Sequence, residues 1–538
     1  MGDAKEECGI CGIYLKNKEE NSIIVPASID LMLSAIQRRG QSGTGVGVFK
    51  LREGKYGKPF VHRKKLINVE NFFGGEDTYS RNLILNGLKG VAGIGHVRYG
   101  TSGSRDNASD QLQPFLRRHG RKAKRFCFCF NGNLANYPEL EKDLLKSDYD
   151  LEIGVDTEII MHLISLRLKF QQFNSEENFE SDFFDLGRSL IEKLDGAYSL
   201  LIILGNGDLG VLRDPQGFKP LVWGENEDFY AVASETVALR QVGIKDFKVV
   251  EPGSVILFSK KGAQVAKLFN TKKAHCHFEA VYFENEASHF ENQPVHDIRW
   301  KFGLELAKRD LLSSEIIKNP NDFVIFPAPE TANLAARAYA SYFGMTAEDV
   351  LKKFSSKRGF INSKEKREYL MNRIYDVIPH LVKDKRAILI EDSVVRGETL
   401  KKVIKLIREA GAREIHVRIT EPPIKCPCFY GIDMSTYDEL IANKYPENLE
   451  ENIAKEMNVE SFVYQTFEGL KNSIGSFDNL CLACLNGEYP TPCGKIRAEE
   501  LRKGKESYSM PKRENGDFCG SVDSEKEILI TKKDILKL

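Results

Sequence analysis

The 538-residue sequence predicts two units of different class in tandem. An α+β layered unit is expected over residues 8–262, and an α/β unit with a parallel sheet over residues 263–494. Three observations carry this. Short β-type runs dominate up to about residue 260. Helices alternate with buried strands from about residue 297. At the centre of that stretch one strand–helix–strand succession is complete, and such a unit implies parallel strands.

In the first unit the expected strands are Cys8–Leu15, Gly45–Leu51, Gly90–Arg98, Phe126–Phe130, Tyr198–Leu204 and Ser254–Leu257. Helical pattern lies between them at Ile29–Arg38 and Asp156–Leu168. In the latter, Ile159, Ile160, Leu163 and Leu166 share one face. In the second unit the apolar run Phe323–Phe326 precedes a helix at Thr331–Tyr342. Arg386–Ile390 then leads into a helix at Thr399–Ala410, with Leu400, Val403, Ile404 and Ile407 at helical spacing. Gly411 is placed to end that helix, and Ile415–Ile419 is the next strand. Residues 495–538 are dense in Lys, Glu and Arg and read as a peripheral tail.

Composition sets limits. Lys+Arg and Asp+Glu are equal at 77 each, so no global field draws the chain to nucleic acid or to an anionic membrane. No stretch approaches the roughly 18 apolar residues of a membrane span. The N-terminal residues carry no apolar signal core, which points to a cytoplasmic protein. In that setting the 11 cysteines suit a nucleophile, metal ligands or core packing better than disulfides.

The most informative stretch is Ile388-Leu389-Ile390-Glu391-Asp392-Ser393-Val394-Val395-Arg396-Gly397-Glu398-Thr399. A fully apolar strand ends in two adjacent acids, and a loop with Ser, Gly and Thr opens a helix. Ligands of open α/β sheets bind outside the carboxyl ends of strands. Helix N-termini favour phosphate, and carboxylates bind ribose hydroxyls or magnesium. A ribose 5-phosphate fits that combination. In the first unit Asn131-Gly132 follows an apolar strand and offers an amide and a backbone N–H as oxyanion donors. Arg98 at a strand end and Asp156 at a helix start are the obvious partners for the carboxylate and ammonium of an amino acid. Cys481-Leu482-Ala483-Cys484 is a C-x-x-C pair suited to zinc, redox chemistry or an iron–sulfur cluster.

The run Glu391–Thr399 resembles the phosphoribosyl pyrophosphate motif of type I phosphoribosyltransferases. With Glu409-Ala410-Gly411-Ala412, Pro422-Pro423 and Tyr430-Gly431-Ile432-Asp433 it resembles the amidophosphoribosyltransferase family. Pro327-Ala328-Pro329-Glu330-Thr331 resembles that family's pyrophosphate-side loop. The first unit is similar to class II, N-terminal-nucleophile (Ntn) glutamine amidotransferases through Cys8-Gly9-Ile10, Arg39-Gly40-Gln41, His96–Thr101, Gln113-Pro114-Phe115, Arg213-Asp214-Pro215 and Ala233-Ser234-Glu235.

The resemblance implies an αββα glutaminase domain feeding ammonia to a type I phosphoribosyltransferase domain. Cys8 would be the nucleophile, with its own α-amine as base once residues 1–7 are removed as a propeptide. Asn131 and Gly132 would hold the oxyanion, and Arg39, Arg98 and Asp156 would bind glutamine. Glu391, Asp392, Ser393, Arg396, Gly397, Thr399 and Arg358 would bind phosphoribosyl pyrophosphate, with Thr331, Glu391 and Asp392 on Mg2+. One branch of the family holds a [4Fe–4S] cluster, here through Cys276, Cys428, Cys481 and Cys484. Cys426 and Cys493 stand near in sequence as substitutes, and zinc is the alternative metal. The family also implies a homotetramer and feedback by purine nucleotides. A plain glutaminase and a nucleotide-sensing regulator are the rival readings.

Two departures stand out. Arg38 occupies the position where relatives commonly carry His, and little effect is expected because Arg39, Gly40 and Gln41 remain. The loop Lys352–Ile361 keeps Arg358 and Phe360-Ile361 but lacks the central Arg-Tyr-Val-Gly of relatives. Looser retention of ammonia is expected from it. Cys11 should lie on the opposite strand face from Cys8 and serve packing.

Overall fold

The computed structural model describes residues 8–18, 20–51, 58–99, 109–170, 179–353, 375–475 and 477–504. The expected propeptide, Arg358 with most of its loop, and the tail beyond residue 504 lie outside them.

Two antiparallel sheets form the centre of the first unit. One has seven strands in the order Phe247–Val249, Val222–Glu225, Phe229–Ala233, Gly9–Leu15, Ala92–Arg98, Gly43–Phe49, Phe60–Lys65. The other has six, in the order Gly262–Lys267, Ser254–Ser259, Leu209–Arg213, Gly196–Leu204, Phe126–Leu134, Phe115–Arg117. Strand alternation assigns the layers. Ile10, Tyr14, Cys127, Cys129, Leu201 and Ile203 fill the space between the sheets. Phe126, Phe128, Leu200 and Ile202 face outward, onto helices Tyr137–Lys146, Asp156–Phe170 and Phe179–Lys193. Cys11, Ile13 and Val46 face the other way, onto helices Ile24–Ala35 and Thr236–Gln241. Both faces of each central strand are thus covered, which is why these strands read as near-continuous apolar runs. The architecture is the expected αββα sandwich. Cys11 packs in the outer layer, on the face its spacing from Cys8 dictates.

The second unit is built on a four-stranded parallel sheet, in the order Phe323–Pro327, Arg386–Glu391, Glu414–Ile419, Ser461–Tyr464. Ile388 and Ile390 face helices Val295–Arg309 and Asn333–Tyr342. Ala387 and Leu389 face helices Glu398–Glu409 and Leu449–Met457. Two boundaries differ from the sequence reading. The first helix begins at Ile24, because Pro26 is tolerated in a first turn, and gives way to a 3-10 turn at Gln37–Arg39. The helix Pro492–Arg502 crosses the expected start of the tail at residue 495. Thr491 caps it by accepting from Gly494 N, and Cys493 N donates to Asp195 Oδ2 of the first unit at 3.0 Å.

Phe128 is fully buried between Phe115 and Phe126 under the outer helices. Phe128→Ala should cost about 3–5 kcal/mol by leaving a cavity in that layer. Thermal or denaturant unfolding of the purified protein measures it, and an unchanged midpoint would show that the layer repacks.

Candidate functional site

Cys8 stands at the head of strand Gly9–Leu15, where Gly9 pairs with Val97 and Ile10 N donates to Ser234 Oγ at 3.0 Å. A Cβ on Gly9 would lie 2.9 Å from Ile36 and Val97 and 3.2 Å from Arg39 Cδ, so the Arg39 side chain passes directly beneath. Gly40 packs as tightly, since its Cβ would meet the Val97 carbonyl carbon at 2.5 Å. The Gln37–Arg39 turn is therefore pressed against both Cys8 and the strand end that carries Arg98.

From the opposite sheet, strand Phe126–Leu134 brings Cys129 within electrostatic reach of Cys8, two positions before Asn131. Asn131 is 1% exposed, and its Nδ2 has no hydrogen-bond partner among the described residues. A buried amide donor left unpaired costs free energy unless a ligand satisfies it. Gly132 follows, and a Cβ there would fall 1.9 Å from Ala197 O, so no larger residue fits that backbone path. Asp156 is buried and accepts from Leu134 N at 2.9 Å. Burial without a cation pushes its carboxyl up to about 7. Arg98 is buried and donates to Gln111 Oε1 at 2.5 Å.

Arg39, expected to bind glutamine, has its guanidinium turned to two carboxylates: Nε to Glu235 at 2.5 Å and Nη2 to Glu279 at 2.7 Å. Burial opposes its charge, but Glu279 and Glu235 outweigh that and hold it charged. It supports the strand headed by Cys8 from below. Glu235 also accepts from Asn285 N and Ser288 Oγ, so the same cluster clamps the start of the second unit. Glu284, buried beside it, has no hydrogen-bond partner for either carboxylate oxygen among the described residues. Burial, then Glu235 and Glu279, raise its pKa well above the ordinary carboxylate range. The neighbouring Arg38 donates to Tyr282 O at 3.1 Å and to Thr331 Oγ1 at 2.7 Å. The sequence reading gave Arg38 little weight, and its contacts 244 and 293 positions away explain why no local pattern marks it.

At the carboxyl edge of the parallel sheet, Pro327 pairs with Ile390, and Ala328 N donates to Ile390 O at 2.8 Å. This sets the loop through Thr331 beside Glu391, Asp392 and Ser393, all three buried. Ser393 Oγ donates to Asp392 Oδ1 at 2.6 Å, and Thr420 Oγ1 to Asp392 O at 3.0 Å. Gly397, at φ +78°, precedes helix Glu398–Glu409, so its N-terminal turn with Thr399 opens at the same edge. Arg396 is held elsewhere: its Nε donates to Glu439 at 2.8 Å and Nη2 to Asp433 O at 3.2 Å.

Cys276 pairs with Cys481 across a short parallel bridge. Burial, then Cys428, Glu421, Cys481 and Cys276, raise the Cys484 thiol far above its ordinary range, which places all four cysteines as neighbours. Burial pushes Cys481 up to about 12. Cys426 instead faces Arg502 and Lys425, and Cys493 faces Asp195 and Glu139. Among the described residues no group of three or more His, Cys, Asp or Glu side chains is arranged to hold a metal ion. Asn133 Nδ2, two residues beyond Asn131, donates to Phe429 O at 2.8 Å, joining the Asn131–Gly132 turn to the Cys428 segment.

Known proteins share this arrangement. A glutamine amidotransferase domain family matches residues 101–241, and a phosphoribosyl transferase domain family matches residues 305–420. Amidophosphoribosyltransferase of Methanothermobacter thermautotrophicus is 34% identical over 91% of this chain and 96% of its own length. The human amidophosphoribosyltransferase is 30% identical over 90% of this chain and 98% of its own. Among solved structures, an allosteric regulatory enzyme of purine biosynthesis superposes with TM-score 0.77 at 31% identity, covering 90% of this chain and 97% of that one. The glutamine phosphoribosylpyrophosphate amidotransferase of Bacillus subtilis, complexed with ADP and GMP, gives 0.75 at 31% identity, covering 90% and 98%. With both domain families lying in order on the two sheet systems and near-complete coverage of these relatives, the chain belongs to the amidophosphoribosyltransferase family.

Proposed function

We propose that the chain converts phosphoribosyl pyrophosphate, glutamine and water to 5-phosphoribosylamine, glutamate and pyrophosphate, the first committed step of purine synthesis. The observation that carries this reading is the joining of the two sheet edges. Arg39, beneath Cys8, and Arg38, on Thr331, are consecutive residues of one turn.

In the glutaminase half the Cys8 α-amine, freed by removal of residues 1–7, takes the thiol proton. The sulfur adds to the amide carbon of glutamine. Asn131 Nδ2 and Gly132 N–H hold the resulting oxyanion, and its collapse expels ammonia, protonated from the α-ammonium. Water then hydrolyses the thioester to glutamate. Arg98 pairs with the substrate carboxylate and Asp156 with its ammonium. In the transferase half ammonia attacks the ribose C1 and pyrophosphate leaves. Glu391 and Asp392, adjacent and buried at the sheet edge, fit a divalent cation with Thr331. Magnesium held there supplies neutralisation of the departing charge. Ser393, Gly397 and Thr399 present donors for the 5-phosphate, and Arg358 belongs to the loop on the pyrophosphate side. Arg396 stays with them as a phosphoribosyl pyrophosphate-binding residue, its Nε also donating to Glu439.

The four neighbouring cysteines suit a [4Fe–4S] cluster, which is held by four thiolates, with Cys276, Cys481 and Cys484 buried and Cys428 partly so. Its role would be structural, tying residue 276 to the C-terminal segment. Domain limits at 8–262 and 263–494, a homotetramer, a cytoplasmic location and feedback by purine nucleotides complete the proposal. The nucleotides bound to the Bacillus subtilis relative support the last. No helix among the described residues is long and apolar enough to cross a membrane.

Three outcomes follow. Cys8→Ala should abolish glutamine-dependent synthesis and spare synthesis from free ammonia, and the mature chain should begin at Cys8 by mass spectrometry. Equal loss of both activities would make Cys8 structural. Because burial sets the free Asp156 carboxyl near 7, protonation removes the ammonium's partner at lower pH. kcat/KM for glutamine should therefore fall as pH drops through about 7, while kcat/KM for ammonia at the second site, corrected for free base, should not share that step. A flat glutamine profile from pH 6 to 8 would exclude the Asp156 role. Purified protein should be brown and hold about four iron atoms per chain; colourless protein with one tight zinc would overturn the cluster.

A further inference from the structure

The structure assigns to Arg38, a residue of the glutaminase half, a role at the other site: we propose that it completes the pyrophosphate-binding end of the transferase edge by orienting the Thr331 hydroxyl and adding positive charge there. This rests on the reading of that edge given above and deepens it.

The geometry makes the case. Arg38 Nη2 donates to Thr331 Oγ1 at 2.7 Å, so the hydroxyl oxygen is used as an acceptor. A hydroxyl whose oxygen accepts from a guanidinium has its own proton left to give. That proton points the Thr331 side chain at an acceptor such as a phosphate oxygen. Arg38 cannot drift, because it also donates to Tyr282 O at 3.1 Å and lies 5.7 Å from the Tyr282 ring centroid. Tyr282, Asp392 and Glu330 each lie within electrostatic reach of Tyr375.

A second cation backs the first. Arg299 is 2% exposed and fixed by Ala280 O at 2.9 Å and Glu284 O at 2.8 Å. Its pKa is lowered to about 10, by burial first and then by Arg38, against the opposing pull of Asp392 and Glu284. The guanidiniums of Arg38, on Thr331, and of Arg299 are thus close enough to repel each other. A pyrophosphate, which carries more negative charge than the 5-phosphate, relieves that repulsion more, and ribose least. The pyrophosphate moiety is the part of the substrate that fits. Arg38 is therefore a positioning residue acting through Thr331, with a direct electrostatic share.

Steady-state kinetics with free ammonia as nitrogen donor isolates the transferase half of the full-length protein. Arg38→Met should raise KM for magnesium–phosphoribosyl pyrophosphate roughly tenfold or more, the size of a lost charge-assisted hydrogen bond, with the loss falling on KM far more than on kcat. Arg38→Lys should recover part of it, since the charge remains. Thr331→Val should raise KM similarly, and the double variant should add little, because one interaction is lost twice. Titration with inorganic pyrophosphate and magnesium should show the same weakening in Arg38→Met, and less of it with ribose 5-phosphate as the probe. An unchanged KM in folded Arg38→Met, or full additivity with Thr331→Val, would overturn the proposal. Wild-type protein that releases no pyrophosphate from phosphoribosyl pyrophosphate and ammonia would instead overturn the functional reading beneath it.

Discussion

The buried ion cluster of Arg39 with Glu235 and Glu279 is the constraint on which the molecule turns. A guanidinium at 1% exposure is tolerable only with both carboxylates in place, and those come from two different units. Removing one partner of such a cluster costs about 3–5 kcal/mol, because a charge is left buried and uncompensated. The two sheet systems therefore do not behave as beads on a string. The charge that steadies the strand of Cys8 is neutralised by the segment that begins the second unit.

Everything near the junction follows from that choice. Glu284, packed against the same carboxylates, has its pKa raised by burial and by their charge. The 3-10 turn that delivers Arg39 downward delivers Arg38 sideways, onto Thr331. On the far side, Phe218 stacks on Tyr430 at 4.2 Å and Asn133 donates to Phe429 O, so the strand carrying Asn131 is buttressed by the segment carrying Cys428. The glutaminase edge is thus gripped from two directions by chain that belongs to the transferase half.

What could be read from the sequence divides along the same line. Strands such as Gly196–Leu204 were legible because burial on both faces writes an unbroken apolar run. The acids Glu391 and Asp392 were legible because an apolar strand ending in paired carboxylates has few structural explanations. Asn131 and Gly132 suggested themselves as local chemistry, and the four cysteines only through resemblance; Cys276, Cys428, Cys481 and Cys484 lie within electrostatic reach of one another. Long-range partners were not legible. Nothing within ten residues of Arg38 signals Thr331, and nothing near Glu235 signals Asn285. The partner of Arg396 was not legible either, since Glu439 lies 43 positions on.

The docking of the C-terminal segment also dictates when the molecule can become competent during synthesis. Asn133 waits for Phe429, 296 positions later, and Asp195 waits for Cys493, 298 positions later. At about 5–20 residues per second a ribosome needs roughly 15–60 s to supply such a stretch. The clamp on Arg39 can close once Glu279 has been made, but the brace behind the Asn131–Gly132 turn cannot. That brace is a contact open only to a chain that already carries the strands up to Glu414–Ile419.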